Sequence, residues 1–450
     1  MKKLLAIVLA LTMVLSLAAC GGSAPAAETP KADAPAAEAP KADAPAAEAP
    51  AAAEPVTLTW ALWDQESTAY WNALAEAYMA SHEGVTLDII DLGSTDYMTQ
   101  LATQLAGGNS ELDVVSIKDI PGYSNLINLG MLEPMNDNLT TDPAAFNGVL
   151  DQLATEDGSF YAIPFRSDMW VLYYNKDLFD AAGVAYPSND LSMEDYDALA
   201  RQMTSGSGAE KVYGTHYHTW RSAASLFGIL DGKQSIVDGT YDFLKPIYEQ
   251  VTTEMKDGIC MDYGELKTAG LHYSAAFENG QCAMLPMGSW FIATLQKYNA
   301  EAAGEGVEPV NFGIVKYPHP AGVAAGTTLG TVTSLGVNAN STKKAAAIDF
   351  VNWCAGPEGA AIMASTGSFP AVTTDESLSI IASVEGFPSD DASKEALKTA
   401  AVYLEMPLSS KASEIETVLN TEHDAIMTGA ETIDEGIANM NEQIGAILAG

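Results

Sequence analysis

The clearest shortage in this sequence is of positive charge. Lys and Arg together number 21 against 59 Asp and Glu, which gives the 450-residue chain a formal net charge of −38. The acidic residues are spread along the chain rather than gathered in one block. Nucleic-acid phosphates are repelled by such a chain. The charge therefore excludes a nucleic-acid partner, and it also excludes a basic membrane-binding surface.

Cysteine is also scarce, with four in the whole chain. Cys20 lies in the N-terminal segment, which leaves Cys260, Cys282 and Cys354, an odd number without any CxxC spacing. We therefore expect no zinc site. Two interpretations remain open: a disulfide between Cys260 and Cys282, or three buried thiols, which we prefer.

Signature motifs of catalysis are missing as well. The chain contains no GxSxG, no HExxH and no P-loop. These are the motifs of serine hydrolases, zinc proteases and nucleotide-binding enzymes respectively. The abundant carboxylates keep one enzyme alternative open, because a glycosidase needs two facing acids. We expect a binding protein rather than an enzyme, without a cofactor or a bound metal.

Long apolar runs are confined to the N-terminal segment. Lys2 and Lys3 precede the apolar stretch 4–15, and LAAC follows at 17–20. A positive start, a short apolar core and small residues predict a secretory signal. Its end resembles a bacterial lipobox, in which Cys20 is lipidated and becomes the new N-terminus; the alternative is an ordinary signal with an incidental cysteine. No other stretch approaches the ~20 residues of a membrane helix, so we expect an anchored body.

The segment 21–55 repeats a ten-residue unit, APAAEAPKAD. Alanine, proline and a few charges cannot bury a core, so this segment is expected to be a disordered, extended spacer. The remaining segment, 56–450, is too long for one comfortable core and suggests two domains.

Hydrophobic periodicity predicts the fold class of this body. Residues 56–63 alternate as a strand does, and Trp71, Leu74 and Tyr78 then recur at helical spacing. Strands at 85–90 and 113–117, with a helix between them, continue the alternation. This pattern predicts an α/β domain with a mostly parallel sheet. Further strands are predicted at 170–175, 310–315 and 330–337, and further helices at 176–182 and 343–354, with Ser192 as a helix N-cap.

Four segments carry a family resemblance. They are, in order, VTLTWALWDQESTAYWNALAEAYMASHEGVTLDII; YAIPF followed by VLYYNKDLF; FENGQCAMLPMGSW; and VNFGIVKYPHP leading into SLGVNANSTKKAAAIDFVNWCAGPEGA. In this order, behind a lipobox and a spacer, they resemble the extracellular solute-binding protein family 1, the carbohydrate-binding lipoproteins of bacterial ABC importers.

The resemblance implies a two-lobe α/β fold of the type II periplasmic-binding-protein kind, with a hinge and a ligand cleft between the lobes. By this analogy lobe one is about 56–164 plus 331–368, and lobe two is about 165–330 plus 369–450. The lobes are expected to close on the ligand, and the partners implied are a carbohydrate and the permease subunits of an ABC importer. A monomer is expected.

A sugar presents apolar C–H faces that pack on aromatic rings and hydroxyls that need carboxylates or guanidinium groups. In open α/β sheets, ligands bind beyond the carboxyl ends of the strands. Trp63 and Asp64 stand at the end of the first strand and are candidate contacts. Asp119 follows the third strand, where a hydroxyl acceptor and a helix cap are equal alternatives.

The resemblance also places Arg166, Asp168 and Trp170 at a crossing between the lobes, facing the cleft. Arg166 suits a pair of sugar hydroxyls or an acidic sugar, but it could instead pair with Asp168 and lock the hinge. Tyr173 and Tyr174 raise the possibility of iron binding, and we prefer packing at the hinge.

Trp290 is the foremost candidate for ligand contact, because PMGSW resembles the family segment that ends in a cleft tryptophan. Gly288 would permit close backbone approach, and Ser289 offers a hydroxyl. Trp220 is a candidate second stacking platform, and Phe369 a candidate hinge residue that touches the cleft.

Three function classes remain after this reading. The first is a carbohydrate receptor of an ABC importer, and the second is a receptor of the same fold for a polyamine, a peptide or a metal complex. The third is a surface glycosidase. His216 and His218 have the spacing of metal ligands on a strand, but no third ligand is evident. The tryptophans favour the carbohydrate receptor, while the acidic composition keeps the polyamine alternative open.

Overall fold

The computed structural model describes residues 55–107, 111–146 and 148–450. The expected signal segment, Cys20 and all of the expected spacer except Pro55 lie outside these residues. No helix in the described part of the chain is long and apolar enough to cross a membrane.

The described residues form nine strands. In chain order they are β1 (Val56–Leu62), β2 (Val85–Asp91), β3 (Val114–Ile117), β4 (Ile163–Asn175), β5 (Tyr213–Thr215), β6 (Cys282–Gly288), β7 (Phe312–Lys316), β8 (Thr327–Val337) and β9 (Ala401–Leu404).

Sixteen α-helices are found in the same residues. They are α1 (Ala69–Ser81), α2 (Tyr97–Ala106), α3 (Ile120–Asn128), α4 (Lys176–Ala182), α5 (Met193–Met203), α6 (Arg221–Ser225), α7 (Lys245–Lys256), α8 (Tyr263–Ala269), α9 (Tyr273–Glu278), α10 (Trp290–Glu305), α11 (Lys344–Ala355), α12 (Pro357–Ser365), α13 (Asp375–Ser383), α14 (Asp391–Ala396), α15 (Ala412–Met427) and α16 (Ile433–Ala449).

The strand order is β2-β1-β3-β8-β4-β6-β5, with β7 added beside β4 and β9 beside β8. The parallel pairing that the alternating pattern predicts is confirmed for β1 with β2 and for β1 with β3. It is wrong for the centre of the sheet, where β8 runs antiparallel to both β3 and β4 and where β6 and β7 run antiparallel to β4. These antiparallel pairs join segments that are distant in sequence, so local periodicity does not reveal their direction.

Two long strands connect the halves of the molecule. The first part of β4 pairs with β8, whereas its last residues, from Trp170 on, pair with β6 and β7. Similarly, β8 pairs with β9 up to Gly330 and with β3 near its end. A strand that changes partners along its length joins two sheets. We call β4 and β8 the crossing strands.

A third chain segment accompanies the crossing strands. The Ser167 amide donates to the Phe369 carbonyl at 3.1 Å, and the Ala371 amide donates to the Phe165 carbonyl at 3.0 Å. Phe369 itself is buried. The candidate hinge residue Phe369 therefore lies beside β4, on the side opposite β8.

Local sequence explains several element boundaries. The Ser192 hydroxyl accepts from the Asp195 amide at 3.0 Å, which confirms the predicted N-cap of α5. The helix predicted at 176–182 is α4, which Asn175 caps by accepting from the Leu178 amide. Such caps satisfy amide groups that the first helical turn leaves unpaired.

Aromatic packing dominates the core of the first lobe. The Trp60 ring meets Trp71 at 5.3 Å and Phe350 at 5.0 Å between centroids, both edge to face. All three side chains are buried. The alternation of β1 and the helical spacing of α1 both predict this, because they place Trp60 and Trp71 toward one interior.

The cysteines of the body do not form a disulfide. Cys260, Cys282 and Cys354 are free and buried. This confirms the preferred interpretation of three buried thiols. Burial raises the pKa of the Cys282 thiol, so it is a poor nucleophile.

Candidate ligand-binding site

The first crossing strand carries a nearly buried ion pair. Arg166 Nη2 lies 2.5 Å from Asp168 Oδ2, and the side chains are 13% and 2% exposed. Arg166 Nη1 donates to the Tyr70 hydroxyl on α1 at 3.0 Å. The Ser289 hydroxyl, just after β6, donates to Asp168 Oδ1 at 2.8 Å. The pair thus ties α1 to the end of β6 through β4.

Burial governs the electrostatics of this pair. It raises the pKa of the Asp168 carboxyl, while the Arg166 guanidinium and the Ser289 hydroxyl oppose that shift. Burial lowers the pKa of Arg166, but Asp168, Tyr70 and Tyr273 together outweigh this effect and the net shift is upward. Arg166 therefore stays charged, and Asp168 compensates its charge.

Three aromatic side chains form a surface beside this pair, which we call the aromatic wall: Trp220, Tyr273 and Trp290. Trp290 Nε1 donates to the Tyr273 hydroxyl at 3.0 Å. The Trp220 ring centroid lies 5.5 Å from that of Tyr273 and 6.2 Å from that of Trp290. Trp220 is 40% exposed, whereas Tyr273 is buried. The wall therefore presents apolar ring surface outward.

Trp170 supports the aromatic wall from behind. Its ring centroid lies 5.8 Å from that of Trp290 at an interplanar angle of 84°. The Trp170 side chain is 1% exposed. Trp170, a predicted site residue, is therefore a buried packing partner of the Trp290 ring.

Glycine at position 288 makes room for the Trp290 ring. A Cβ atom there would lie 2.0 Å from Trp290 Cζ3. The Tyr173 hydroxyl fixes the same residue by donating to the Gly288 carbonyl at 2.9 Å. Ser289 is fully buried. Gly288 and Ser289 therefore position Trp290 and Asp168.

Trp63 and Asp64 follow directly after β1, and Trp71 packs against both Trp63 and Tyr70. Trp63 packs against Trp71 and Tyr97, at 5.1 and 4.9 Å between ring centroids. Burial raises the pKa of Tyr70, and the Asp64 charge adds a smaller contribution in the same direction. Asp64 thus acts on the hydroxyl that Arg166 contacts.

An acidic group extends the site: Asp119, Glu405 and Glu416. Burial raises the pKa of all three carboxyls, that of Glu405 to about 7. Arg221 opposes the shift at Glu405 and Glu416, while the charge of Asp119 adds to it. Asp119 also caps α3 by accepting from the Gly122 amide at 2.7 Å. The helix-cap alternative for Asp119 therefore holds. The Asp119 charge also raises the pKa of Glu405 and of Glu416.

The structure brings most of the predicted residues into one region. Arg166, Asp168, Gly288, Ser289 and Trp290 form a connected set. Sequence reasoning missed three residues that link this set to its surroundings, namely Tyr70, Tyr273 and Glu405. It considered His218 only as a metal ligand. Tyr70 lies within the first segment that carries the family resemblance, and Tyr273 stands four residues before the segment FENGQC, so a weak signal was available for both.

His218 contacts Trp220 and Tyr273 of the aromatic wall, and His216 lies next to His218, with 6.4 Å between the ring centroids. Burial lowers the pKa of His216 to about 3 and that of His218 to about 4. Within the described residues, no group of three or more His, Cys, Asp or Glu side chains could hold a metal ion.

Comparison with known proteins agrees with this architecture. The family model for bacterial extracellular solute-binding proteins matches residues 73–389. The crystal structure of a sugar transporter from Rhizobium etli, in an open conformation, is 49% identical with a TM-score of 0.77. It covers 87% of this chain and 99% of that chain.

Two curated relatives extend the comparison. The sn-glycerol-3-phosphate-binding periplasmic protein UgpB of Pectobacterium atrosepticum is 24% identical over 84% of this chain and 87% of its own length. The lactose-binding protein of Rhizobium radiobacter is 31% identical over 27% of this chain. The chain spans about a third or less of the length of the first curated relatives that it matches. Its fold is the two-lobe α/β fold with a hinge and a ligand cleft, and the chain belongs to the bacterial extracellular solute-binding proteins.

Proposed function

We propose that this protein captures a neutral mono- or oligosaccharide in the cleft between its lobes and delivers it to the permease of an ABC importer. The observation that carries the proposal is the aromatic wall, which ends at the Arg166–Asp168 pair. Exposed ring surface suits the C–H faces of a sugar, and a guanidinium next to a carboxylate suits its hydroxyls. The names of the Rhizobium etli structure and the lactose-binding relative support the same ligand class.

Lobe closure follows from the same residues. Tyr70 comes from α1 and Tyr273 from α9, and both act on Arg166. A sugar bound on the aromatic wall would gain contacts with Tyr70 and Trp63 when the lobes approach. Ligand shifts the equilibrium toward closure only by its differential affinity for the two arrangements. The closed form is the one that docks on the permease.

The charges favour a neutral ligand over an anionic one. Asp168 compensates Arg166, and Arg221 faces both Glu405 and Glu416. A phosphate or carboxylate ligand would meet these acids, while the Arg166 and Arg221 guanidinium groups already interact with carboxylates. We therefore expect weak binding of sn-glycerol 3-phosphate, in contrast to what the name of the UgpB relative indicates for that protein.

A thermal-shift screen of residues 55–450 tests the ligand class. The panel contains mono- and oligosaccharides, sn-glycerol 3-phosphate, polyamines and peptides. A ligand at 100 times its Kd stabilises the native state by about 2.7 kcal/mol, so a sugar ligand raises the Tm. Absence of any shift with every sugar, together with a shift for another class, would refute the proposal.

Trp290→Ala tests the site itself. Loss of a central aromatic platform costs about 2 kcal/mol or more of binding free energy, or roughly 30-fold in Kd. Trp353→Ala is the matched control, because Trp353 is a partly buried tryptophan on α11 that packs against Tyr78 at 5.4 Å. Isothermal titration should show weaker sugar binding for Trp290→Ala and unchanged binding for the control. Equal affinities of the two variants would remove Trp290 from the site.

A cationic solute such as a polyamine is the second candidate, and the acidic group favours it. Asp119, Glu405 and Glu416 offer three carboxyls close enough to influence one another. A polyamine ligand predicts a Tm shift with spermidine that salt weakens and that Glu405→Gln reduces. Tm shifts with sugars that do not depend on the salt concentration would favour a carbohydrate ligand.

The proposed anchor is a lipid on Cys20, with 21–55 as the spacer. Metabolic labelling with palmitate should mark the wild type, and Cys20→Ala should release the unlabelled protein to the medium. Retention of label in the variant would refute this assignment.

The protein is expected to be a monomer in light scattering. The bound sugar should be recovered uncleaved, and cleavage at an enzymatic rate would favour the glycosidase alternative.

A further inference from the structure

His218 differs from the other histidines in its hydrogen bonding. Its side chain is 8% exposed, and its Nδ1 is buried without a hydrogen-bond partner. His216 has both ring nitrogens unpartnered but is fully buried, so it has no open edge. Each of the remaining four has a ring nitrogen in a hydrogen bond: His82, His272, His319 and His423. Within the described residues, His218 therefore combines an unpartnered nitrogen with a partly open ring.

The position of His218 connects it to the aromatic wall. Its ring centroid lies 4.7 Å from that of Trp220 at an interplanar angle of 83°, and 5.2 Å from that of Tyr273 at 75°. Trp220 is the most exposed ring of the wall. An apolar ring and a polar ring at right angles form a corner. A sugar has the matching shape, because its C–H face is apolar and its equatorial hydroxyls radiate from the ring edge.

The imidazole of His218 is neutral at physiological pH. Burial lowers its pKa to about 4, and the neighbouring His272 contributes in the same direction. A neutral imidazole carries one N–H donor and one acceptor nitrogen. A hydroxyl can complement either of them. Because Nδ1 has no partner within the described residues, no hydrogen bond there fixes the tautomer, and the ring edge that remains open can offer a hydroxyl either a donor or an acceptor.

We propose that His218 is a specificity-determining residue, whose imidazole hydrogen-bonds one hydroxyl of a sugar that packs on Trp220. The inference rests on the proposed carbohydrate function and narrows it. The hydroxyl at the Trp220 end of the ligand is required for tight binding, and sugars that lack it are rejected. Discrimination of this kind is strong because the analogue leaves a buried polar group unpaired.

Isothermal titration of His218→Phe provides the test. The probes are D-glucose, D-galactose, D-mannose, lactose, maltotriose and mannotriose, followed by the monodeoxy analogues of the tightest binder. We expect the variant to bind that sugar about 10–100-fold more weakly. We also expect it to lose discrimination against one monodeoxy analogue. His218→Gln should restore part of the discrimination, and His319→Phe should behave as the wild type.

A second measurement needs no variant, which matters if His218→Phe does not fold. The chain has six histidines, so nitrogen-15 spectra of the imidazoles in the wild type are readily assigned. Sugar addition should move the nitrogen shifts of His218 in the direction of a new hydrogen bond. Sugar binding with unchanged nitrogen shifts of His218 would overturn this inference alone, and so would a folded His218→Phe that keeps the wild-type discrimination among the monodeoxy analogues. Absence of binding for all six sugars would overturn the proposed function and this inference with it.

Discussion

Arg166→Met should destabilise the ligand-free protein strongly. The change leaves the Asp168 carboxyl, 2% exposed, without its guanidinium partner, and only the Ser289 hydroxyl bond remains. Removing one member of a buried ion pair costs about 3–5 kcal/mol. With an unfolding entropy of about 2.1 cal/mol/K per residue over roughly 400 residues, this lowers the Tm by about 4–6 °C.

The pH dependence separates this explanation from simple loss of packing. In Arg166→Met the lone buried Asp168 has a folded-state pKa well above its unfolded value of about 3.9. The folded state then binds more protons than the unfolded state below that raised pKa. Stability therefore rises as the pH falls from 7 toward 5, by up to about 1.4 kcal/mol per pH unit. The deficit of the variant relative to the wild type should shrink over that range.

Urea unfolding followed by circular dichroism at pH 7 and pH 5 measures both effects. Arg201→Met is the matched control, because Arg201 pairs with Asp197 and Asp257 at the surface and is 38% exposed. Exposed pairs contribute about 0–1 kcal/mol. A second change, Asp168→Asn, should recover part of the loss in Arg166→Met. A loss no greater than that of the control, or one independent of pH, would refute the reasoning.

Three further predictions concern the body of the protein. Its three buried thiols should resist a thiol reagent in the native state and all react after unfolding without reductant; reaction of only one would indicate a disulfide. Gly288→Ala forces the Trp290 ring aside, so it should cost about 1–3 kcal/mol of stability and weaken sugar binding; an unchanged Kd contradicts the positioning role. His423 is buried with its pKa lowered to about 3, so it contributes stability that is lost as the pH falls below its unfolded value of about 6.5. By pH 5 the loss is about 2 kcal/mol, and His423→Gln should remove that part of the acid sensitivity measured by urea unfolding.

Elements with a strong local signal were predicted closely. The alternation of β1, the helical spacing of α1 and the N-cap at Ser192 all appear in the structure. The predicted helix at 176–182 has the observed bounds of α4. These features depend on neighbours within a few residues, so the chain itself contains the information.

The first part of β4 was not predicted as strand, because the polar residues Arg166, Ser167 and Asp168 interrupt its apolar pattern. The structure extends the strand back to Ile163, since pairing with β8 provides the backbone hydrogen bonds. The same pairing explains why the sheet is mixed rather than mostly parallel. Strand direction is decided between segments more than 150 residues apart, such as Asp168 and Thr331.

The sequence by itself determined the residue types of the site and the order of the segments that carry them. Its resemblance to a known family suggested Trp290 as a candidate cleft residue and Arg166 as a candidate at the crossing between the lobes. Only the tertiary structure decided that Tyr70 and Ser289 complete the Arg166–Asp168 pair and that Trp220 joins Trp290 and Tyr273 in one wall. The physical reason is that each of these contacts joins side chains from different elements, and their meeting depends on the packing of whole helices and strands.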